Sequence, residues 1–433
     1  MNPDTVTTST APGIRPPDGP YGIRLLHGWY RTGGPAGLAE HLDRYGPAPL
    51  ATARGSLVDA VERAGLTGRG GGGFPTGRKL AAVAGKRGPA VVIANGMESE
   101  PASRKDATLL HLAPHLVLDG AVLAAEAVGA TAVHVCLART REDQHGGLAR
   151  ALAERRRAGT DRVAVHVHTL PHHFVSSEET SLVNWLNGGE ARPQATPPRP
   201  FEKGVDRRPT LVDNVETLAH LALIARYGPG WFREYGTPEA PGTTLVTLSG
   251  AVRSPGVYEV PAGSPVTGAL DAAGGPTGRL GAVLAGGFFG HWLPVPLEAA
   301  ALGRGAGVLA ALPEEACGLA ETAAALGYLA AQSARQCGPC RLGLPTVAED
   351  FAELAWGRSV AAALDRLNRR LGLLPGRGAC RHPDGAARLA ASALRVFGDD
   401  VHRHARHGPC AAAHAPLTLR VPAARPPEEG EWR

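Results

Sequence analysis

The chain has 433 residues, a formal net charge of +5 and 6 cysteines. Roughly two to four domains are expected at this length, because a single core rarely grows so large. Hydrophobic residues at 43% and charged residues at 20% are typical of a soluble globular protein. The charge is too small to indicate a nucleic-acid-binding surface, and the apolar runs are too short for a membrane span. Neither nucleic-acid binding nor direct membrane insertion is therefore expected.

The N-terminal residues and the cysteines bear on the cellular compartment. Residues 1–20 are rich in Thr and Pro and are expected to be disordered. They show no basic start followed by an apolar core, so no secretory signal is expected and a cytoplasmic location is predicted. In a reducing compartment the C-x-x-C pair Cys337 and Cys340 indicates metal or redox chemistry before it indicates a structural disulfide.

From residue 21 to residue 237 the sequence alternates between helical periodicity and short β-branched runs. This alternation predicts an α/β domain with a parallel sheet. The predicted strands are 89–95, 132–137 and 162–168, and the predicted helices are 56–65, 78–85, an amphipathic helix at 111–129, 148–157, 181–186 and 215–225.

Two smaller domains are predicted after a linker at 238–242. Residues 243–305 are expected to form a compact β-grasp-like unit, with strands at 244–249 and 256–260 and a helix at 266–273. Residues 310–410 are predicted to form a four-helix bundle, and the Pro/Arg-rich residues 416–433 are expected to be disordered. The four helices are expected at 315–331, 345–356, 359–371 and 386–397.

A glycine-rich segment at residues 68–79 reads Gly-Arg-Gly-Gly-Gly-Gly-Phe-Pro-Thr-Gly-Arg-Lys. Glycine can adopt positive φ and lets another molecule approach the main chain, and its exposed amides can form an anion-binding nest. Arg69, Arg78 and Lys79 add positive charge. A phosphate cradle is therefore predicted in preference to a flexible linker.

A dinucleotide-binding Rossmann turn is a competing interpretation of this segment. Gly68, Gly70 and Gly73 match the pattern G-x-G-x-x-G. In a Rossmann unit that pattern must lie between a strand and a helix, whereas here a predicted helix precedes it. The standard Rossmann interpretation is therefore disfavoured.

Three polar segments could supply further ligand-binding groups. Residues 95–101 follow a predicted strand, where open α/β sheets bind ligands, or they form a solvated loop. Residues 176–180 hold adjacent carboxylates that could bind hydroxyl groups or form the acidic first turn of a helix. Residues 209–218 contain Asp213, which could hold a ligand or cap the following helix.

Cys337, Cys340 and Cys380 are candidate metal ligands. Two thiolates from one tight turn and a third from another element suit an iron–sulfur cluster or zinc. A thioredoxin-like redox pair is disfavoured, because this C-x-x-C lies between predicted helices and not in a βαβ unit. A chemically inert pair is the remaining alternative.

Taken together, these segments resemble the NADH-oxidising FMN/iron–sulfur flavoprotein subunit of respiratory complex I, a family also found in NAD-linked hydrogenases and formate dehydrogenases. The resemblance extends from about residue 40 to residue 410 and includes the domain order, with the β-grasp-like unit matching an SLBB domain. The motifs that carry it are G-R-G-G-x-G-F-P-T-G-x-K at 68–79, E-S-E-P at 98–101, E-E-T at 178–180, N-V-E-T-L at 214–218 and the SLBB strand pair at 249–263.

The resemblance implies an NAD(P)H dehydrogenase module with FMN as cofactor. Hydride would pass from NAD(P)H to FMN, and single electrons would then pass through an iron–sulfur cluster to a ferredoxin-like or 2Fe-2S partner subunit, within a larger redox complex. Glu100 and Glu179 are implied as catalytic carboxylates near the nicotinamide and the flavin. The implied cofactor-binding residues are Gly68, Arg69, Gly70, Gly71, Gly73, Phe74, Lys79, Asn95, Glu98, Ser99, Phe174, Glu178, Asp213, Asn214 and Thr217. The implied cluster ligands are Cys337, Cys340 and Cys380.

The chain departs from the family pattern at the cluster. Ala334 stands where the family has the first cluster cysteine, and alanine cannot ligate iron. An incomplete or oxygen-labile centre is therefore expected in place of a fully cysteinyl 4Fe-4S cluster, with Cys317 and Cys410 as candidate substitutes. The histidines around Cys410, which are His402, His404, His407 and His414, are expected to form a solvated basic tail in preference to a metal site.

The flavin half departs from the pattern as well. Met97 replaces an aspartate, Phe174 a tyrosine, Ser177 a glycine and Asp213 an asparagine. These changes remove a flavin hydrogen bond and alter the surface expected to stack with NADH. They motivate two alternatives, which are a degenerate paralogue acting as a scaffold and a flavin electron-transfer subunit that does not oxidise NADH.

Overall fold

The computed structural model describes residues 24–26, 34–303, 305–357 and 359–433. The disorder predicted for residues 1–20 falls outside these residues. A four-stranded parallel sheet with flanking helices, a five-stranded mixed sheet and a C-terminal group of helices follow one another along the chain. The predicted fold class is confirmed.

The first sheet has the strand order β3-β2-β1-β4, and all its neighbours are parallel. The three strands predicted from β-branched runs are present. β4 was not predicted, because its five residues run directly into polar helix-capping residues. The strands are β1 (Ala90–Gly96), β2 (Ala130–Ala138), β3 (Ala164–Leu170) and β4 (Thr210–Asn214).

Eight helices surround this sheet within the described residues. They are α1 (Leu38–Tyr45), α2 (Leu50–Ala64), α3 (Thr76–Ala84), α4 (Lys105–Leu112), α5 (Pro114–Val128), α6 (Glu142–Ala158), α7 (Glu179–Leu186) and α8 (Val215–Phe232).

The amphipathic helix predicted at 111–129 is two helices, α4 and α5, which meet at an angle of 97°. Pro114 starts α5 because proline lacks an N–H and cannot continue the preceding helix. α5 is buried on nearly every side between the sheet, α2 and α8, so the amphipathic description was wrong. Within the described residues no single helix has the length and hydropathy of a membrane span; only this bent, buried pair reaches them jointly.

The second sheet has the order β6-β5-β9-β7-β8. Its central strand β9 pairs with β5 in parallel and with β7 antiparallel, although it lies beyond residue 305, the predicted end of this unit. The elements are β5 (Thr243–Gly250), β6 (Gly256–Pro261), α9 (Val266–Ala272), β7 (Leu280–Ala285), β8 (His291–Pro294) and β9 (Val308–Pro313).

Within the described residues, the C-terminal region contains five α-helices where four were predicted. The additional one, α14, was interpreted as a solvated tail, but its Val401 and His404 are buried. A π-helical turn at Pro339–Gly343 leads into α11. The helices are α10 (Gly318–Ala331), α11 (Leu344–Trp356), α12 (Val360–Leu371), α13 (His382–Val396) and α14 (Gly398–His407).

The C-terminal segment 416–433 is packed against the protein, so the expectation of disorder was wrong. Leu419 and Trp432 are only 5% and 2% exposed. The Trp432 ring lies 4.5 Å from the ring of His173 and under the guanidinium of Arg192. Two buried apolar side chains offset the polar composition that suggested disorder, and they tie the chain end to the first domain.

Candidate functional site

The predicted site residues gather at the carboxyl ends of β1 and β4. These strands are neighbours, and Asn95 pairs in register with Asn214. The glycine-rich loop lies directly over this edge, since a Cβ atom on Gly70 would be 3.3 Å from Cβ of Asn214. The edge at which parallel strands end is where open α/β sheets bind ligands.

The glycine-rich loop is an ordered turn with a protruding tip. Gly68 N donates to Phe74 O at 2.8 Å and closes the turn. Gly71 and Gly73 have φ of 99° and 59°, which side chains rarely adopt, and a Cβ on Gly72 would meet nothing within 4 Å. Phe74 is 55% exposed. A rigid turn with open space above glycine backbone fits an anion cradle and excludes a flexible linker.

The guanidinium of Arg69 does not point to this open space. It donates to the carbonyl oxygens of Pro241 and Thr243 at 3.4 and 3.1 Å and lies 4.0 Å from the carboxylate of Glu216. The backbone N–H of Arg69 donates to Thr217 Oγ1 at 2.9 Å. Arg69 and Thr217 therefore fasten the loop to α8 and β5, and neither is placed as the phosphate contact implied by the resemblance.

Asn214 caps α8 and is fully engaged with the protein. Its Oδ1 accepts from the N–H of Glu216 at 3.0 Å and from Lys105 Nζ at 3.2 Å, and its amide nitrogen donates to Asp106 Oδ2 at 2.7 Å. Lys105, Asp106 and Glu216 are all buried. This ionic cluster was not predicted as a unit, although its Glu216 was visible within N-V-E-T-L.

Lys79, Asp213 and Glu179 form a second charged group beside the loop. Lys79 Nζ donates to Val212 O at 2.6 Å and lies 3.6 and 3.7 Å from Asp213 Oδ1 and Glu179 Oε2. Asp213 Oδ2 is buried and has no hydrogen-bond partner. Burial raises the pKa of Asp213, and the charge of Lys79 opposes this rise.

An unpartnered buried carboxylate oxygen is costly unless a ligand completes it. Asp213 Oδ2 can accept from an N–H of a bound ligand but would repel a phosphate. FMN offers both kinds of group, because its isoalloxazine ring carries an N–H and its ribityl chain ends in a phosphate. The residues present therefore fit FMN: the glycine amides would hold its phosphate, and Asp213 would accept from the N–H of its ring.

The two glutamates of the E-S-E-P segment make different contacts. Glu98, at a φ of 34°, accepts from Ser103 Oγ at 2.6 Å and from the N–H groups of Asp106 and Ala107 at 2.9 Å each. Its carboxylate thus caps α4. This capping gives the carboxylate a structural role, and the cofactor-binding role implied for Glu98 stays a prediction.

Glu100, like Glu98, is half-buried. It accepts from Ala102 N at 3.1 Å and from Phe288 N at 2.9 Å, and a Cβ on Gly287 would be 2.5 Å from its carboxyl carbon. Burial raises the pKa of Glu100 to about 7, with the Ala102 and Phe288 amides opposing and the charge of Glu98 adding to the rise. Glu100 can therefore change protonation near neutral pH.

Asn95 and Ser99 connect β1 to the segment before α7. Ser99 Oγ donates to Phe174 O at 2.7 Å and lies 2.5 Å from Ser177 Oγ. Asn95 Nδ2 donates to Ser177 O at 2.9 Å. Asn95 and Ser99, which the resemblance implies as cofactor contacts, therefore have side chains that are hydrogen-bonded to the protein.

Phe174 is 7% exposed and packs into the C-terminal core. Its ring lies 4.7 Å from that of Phe289 and 5.5 Å from that of His382. The structure therefore gives Phe174 a packing role in place of the implied cofactor contact. Glu178 accepts from the N–H groups of Thr180 and Ser181 as the N-cap of α7, so only Glu179 of the pair faces Lys79.

Cys337, Cys340 and Cys380 come together near the start of α11 and α13. Burial raises the pKa of Cys340, and the nearby thiols of Cys337 and Cys380 raise it further. Burial likewise raises the pKa of Cys380 to about 11, opposed by the N–H of His382. Ala334 is 9% exposed in the same core as Cys340. The donor set fits a cluster held by three cysteines and does not fit a fully cysteinyl four-iron cluster.

Cys317 cannot replace the missing cysteine at Ala334. It precedes the first residue of α10, whereas Ala334 follows the last. A helix of 14 residues is about 20 Å long at a rise of roughly 1.5 Å per residue. Cys410 lies with Cys317 at that far end, so neither thiol can ligate a cluster held by Cys337.

Comparisons with known proteins match this architecture domain by domain. Residues 61–223 match the Nuo51 FMN-binding domain, residues 245–287 the SLBB domain, and residues 316–404 the NADH-ubiquinone oxidoreductase-F iron-sulfur binding region. The F subunit of NADH-quinone oxidoreductase in Streptomyces coelicolor is 32% identical over 377 residues, which cover 82% of this chain and 84% of that protein. The chain belongs to the family of NADH-quinone oxidoreductase F subunits.

Other F subunits have a similar sequence identity to this chain. An F subunit of Rhizobium meliloti is 30% identical over 91% of this chain and 96% of its own length, and the F subunit of Escherichia coli is 31% identical over 79% and 83%. The structure also resembles that of an NAD+-reducing NiFe-hydrogenase in the air-oxidized state, with a TM-score of 0.78 and 29% identity. That match covers 88% of this chain and 66% of the hydrogenase chain.

Membership of this family confirms the resemblance drawn from the motifs. The oxidoreductase class, the FMN-binding domain, the SLBB domain and the iron–sulfur region are confirmed. The relatives are named as subunits, which supports a role alongside partner chains. The roles of individual residues stay predictions.

Proposed function

We propose that the chain is an FMN-dependent NAD(P)H dehydrogenase module of a larger cytoplasmic redox complex, which passes electrons to a ferredoxin-like or 2Fe-2S partner subunit. The observation that carries the proposal is the open glycine turn beside the unpartnered Asp213 carboxylate oxygen. When bound, FMN supplies the chemistry that accepts a hydride and releases single electrons.

The chain's own residues bind and orient. Amides at Gly70, Gly71 and Gly73 would hold the phosphate, and the cation of Lys79 balances Asp213. Phe74, exposed at the end of the turn, offers an apolar face to a nucleotide ring. Glu100 and Glu179 present carboxylates to the region where positive charge develops on the nicotinamide as hydride leaves.

The test of the proposal is anaerobic reconstitution of the full chain with FMN, followed by NADH or NADPH. We expect a bound flavin whose absorbance bleaches on adding the nucleotide. Gly71→Val should weaken flavin binding by at least about tenfold, because φ near 99° strains a β-branched residue. Gly55→Ala, on an open face of α2, is the control that should bind FMN normally. A chain that binds no flavin would refute the proposal and favour a scaffold role.

A flavin electron-transfer subunit that does not oxidise NAD(P)H is the second candidate. It is favoured by the burial of Phe174 and by the Ser177 hydroxyl bonded to Ser99. Phe174 and Ser177 both belong to the segment at which the resemblance implies that NADH stacks on the flavin. Bound flavin reduced by dithionite but not by NADH or NADPH would establish this candidate over the first.

Glu100→Gln is expected to remove a pH dependence centred near neutrality. The raised pKa of about 7 means that the wild-type carboxyl is protonated below this pH and charged above it. Because only the charged form stabilises positive charge on the nicotinamide, flavin reduction by NADH should accelerate as pH rises through 7. In Glu100→Gln the rate of flavin reduction should not vary with pH, and at about pH 8 it should be about tenfold lower than in the wild type.

Stopped-flow reduction between about pH 5.5 and about pH 9 measures this effect, because that range spans the pKa of Glu100, about 7. Glu349→Gln, exposed on α11, is the matched control and should keep the wild-type profile. An unchanged inflection in Glu100→Gln would assign the ionisation to another group.

Ala334→Cys is expected to convert a cluster with three cysteine ligands into one with four. The wild-type chain should yield a cluster that loses iron readily in air, because one iron lacks a thiolate. The variant should retain close to the full iron and sulfide content and show a reduced-state EPR signal that survives air exposure several-fold longer. Iron and sulfide analysis with EPR on one anaerobic sample measures both.

Ala361→Cys supplies the control, since it adds a thiol on the exposed side of α12 away from the cluster. It should leave the cluster as labile as in the wild type. A wild-type cluster as stable as that of Ala334→Cys would contradict the inferred three-cysteine ligation.

A further inference from the structure

Cys317, His404 and Cys410 converge at the end of α10 far from the cysteines of the cluster. The two sulfur atoms and a ring nitrogen of His404 all lie within 4.8 Å of one another. Cys317 and His404 are 5% and 3% exposed, while Cys410 is exposed. Of the four histidines interpreted as a solvated tail, His404 alone is buried, so that interpretation was wrong for this residue.

The ring of His404 is held in the orientation that a metal ligand needs. Its Nδ1 lies 2.9 Å from Leu354 O and donates to it, so in the neutral ring Nε2 carries the lone pair. Nε2 lies 4.0 Å from Cys317 Sγ and accepts from the N–H of Cys410 at 3.2 Å, a hydrogen bond that a metal at Nε2 would replace. A backbone carbonyl behind the ring commonly fixes the tautomer and the orientation of a ligating histidine.

Cys317 lies at the start of α10, as its N-cap residue. Burial raises the pKa of its thiol to about 11, with the N–H groups of Ala320 and Leu319 opposing the rise, so a metal that binds here displaces the thiol proton. The three donors therefore come from the start of α10, from α14 and from the turn that follows α14.

The donor types and distances select a metal. Two thiolates and one imidazole suit Zn²⁺, which binds sulfur at about 2.3 Å and nitrogen at about 2.0–2.1 Å. Tetrahedral angles at those bond lengths place S and N about 3.5 Å apart. The separation of 4.0 Å between Cys317 Sγ and His404 Nε2 is thus within a small side-chain adjustment of that geometry.

We propose that Cys317, His404 and Cys410 bind one zinc ion, with a water on the exposed side of Cys410 completing the coordination. The ion joins the start of α10 to α14 and to the segment after it. That segment is also fixed by the Trp356 Nε1–H, which donates to Ala413 O at 2.7 Å. The zinc site stands apart from the flavin and cluster sites and does not depend on the proposed dehydrogenase function.

Measuring the zinc and iron content of the full chain tests the proposal. The protein is purified anaerobically with a thiol reductant, given excess zinc and then desalted. Zinc bound by Cys337, Cys340 and Cys380 would add to the measured zinc content. The comparison is therefore made between variants that all retain these three cysteines. Cys410→Ser, at an exposed position that tolerates serine, should contain about one zinc ion fewer per chain than the wild type. His402→Asn, on the exposed side of α14, should match the wild type.

A second readout separates a bound ion from mere proximity. Cobalt(II) in place of zinc should give thiolate-to-metal charge-transfer absorption in the wild type and in His402→Asn, with that intensity reduced in Cys410→Ser. Equal zinc content in the wild type and Cys410→Ser would overturn the proposal. A Cys317–Cys410 disulfide found by mass spectrometry of the reductant-treated protein would overturn it as well.

Discussion

Lys105→Met is expected to lower the free energy of unfolding by about 3–5 kcal/mol, because it leaves buried carboxylates without their shared cation. Lys105 Nζ lies 2.7 Å from Asp106 Oδ1 and 2.8 Å from Glu216 Oε2. All three side chains are almost completely buried. Without the cation, the carboxylates of Asp106 and Glu216 would remain in a protein interior that solvates negative charge poorly.

The same change should weaken flavin binding. Lys105 also donates to Asn214 Oδ1 at 3.2 Å, and Asn214 lies directly beneath Gly70 of the glycine-rich loop. Glu216 in turn accepts from the N–H of Leu245 at 2.9 Å and so links α8 to the second sheet. Loss of the cation therefore loosens both the floor of the flavin site and the contact between the two sheets.

Urea unfolding and FMN titration measure these two effects. Arg63→Met is the matched control, because its ion pair with Asp59 lies on the surface with side chains 63% and 69% exposed. Such pairs contribute about 0–1 kcal/mol, so the control should unfold nearly as the wild type and bind FMN normally. A loss below about 1 kcal/mol in Lys105→Met would show that the carboxylates are relieved by protonation or water.

Gly120→Ala is expected to destabilise the protein by about 3 kcal/mol or more, because α5 and α8 cross without room for a methyl group. A Cβ on Gly120 would lie 1.9 Å from the carbonyl oxygen of Leu218. The obstructing atom is backbone, so the two helices would have to separate. Since α8 begins at the residues beneath the glycine-rich loop, flavin affinity should fall together with stability.

Gly146→Ala separates this effect from helix propensity. Gly146 lies inside α6, and a Cβ there would meet nothing within 4 Å. That substitution should raise the free energy of unfolding by up to about 1 kcal/mol. Thermal or urea unfolding of both variants measures the difference, and equal stabilities would mean that α5 and α8 can move apart at little cost.

Short-range patterns in the sequence determined much of the architecture. β-branched runs located β1, β2 and β3, and the twelve residues of the glycine-rich loop led to the FMN-binding family. The alanine at 334 and the cysteines at 337, 340 and 380 identified the cluster region and its missing ligand. Such features are readable because helical periodicity, strand composition and turn chemistry each depend on a few neighbouring residues.

Tertiary structure alone decided which predicted polar groups are available to a ligand. The motifs included Glu98, Arg69 and Asn214, but the side chain of each of these residues is hydrogen-bonded within the protein. Asp213, by contrast, retains a carboxylate oxygen without a hydrogen-bond partner. Cys317 and His404 are 87 positions apart in the sequence, and only the tertiary fold brings their side chains to within 4.0 Å of each other. The reason is physical, since the partner of a buried donor or acceptor is chosen by burial and long-range packing, which no local pattern encodes.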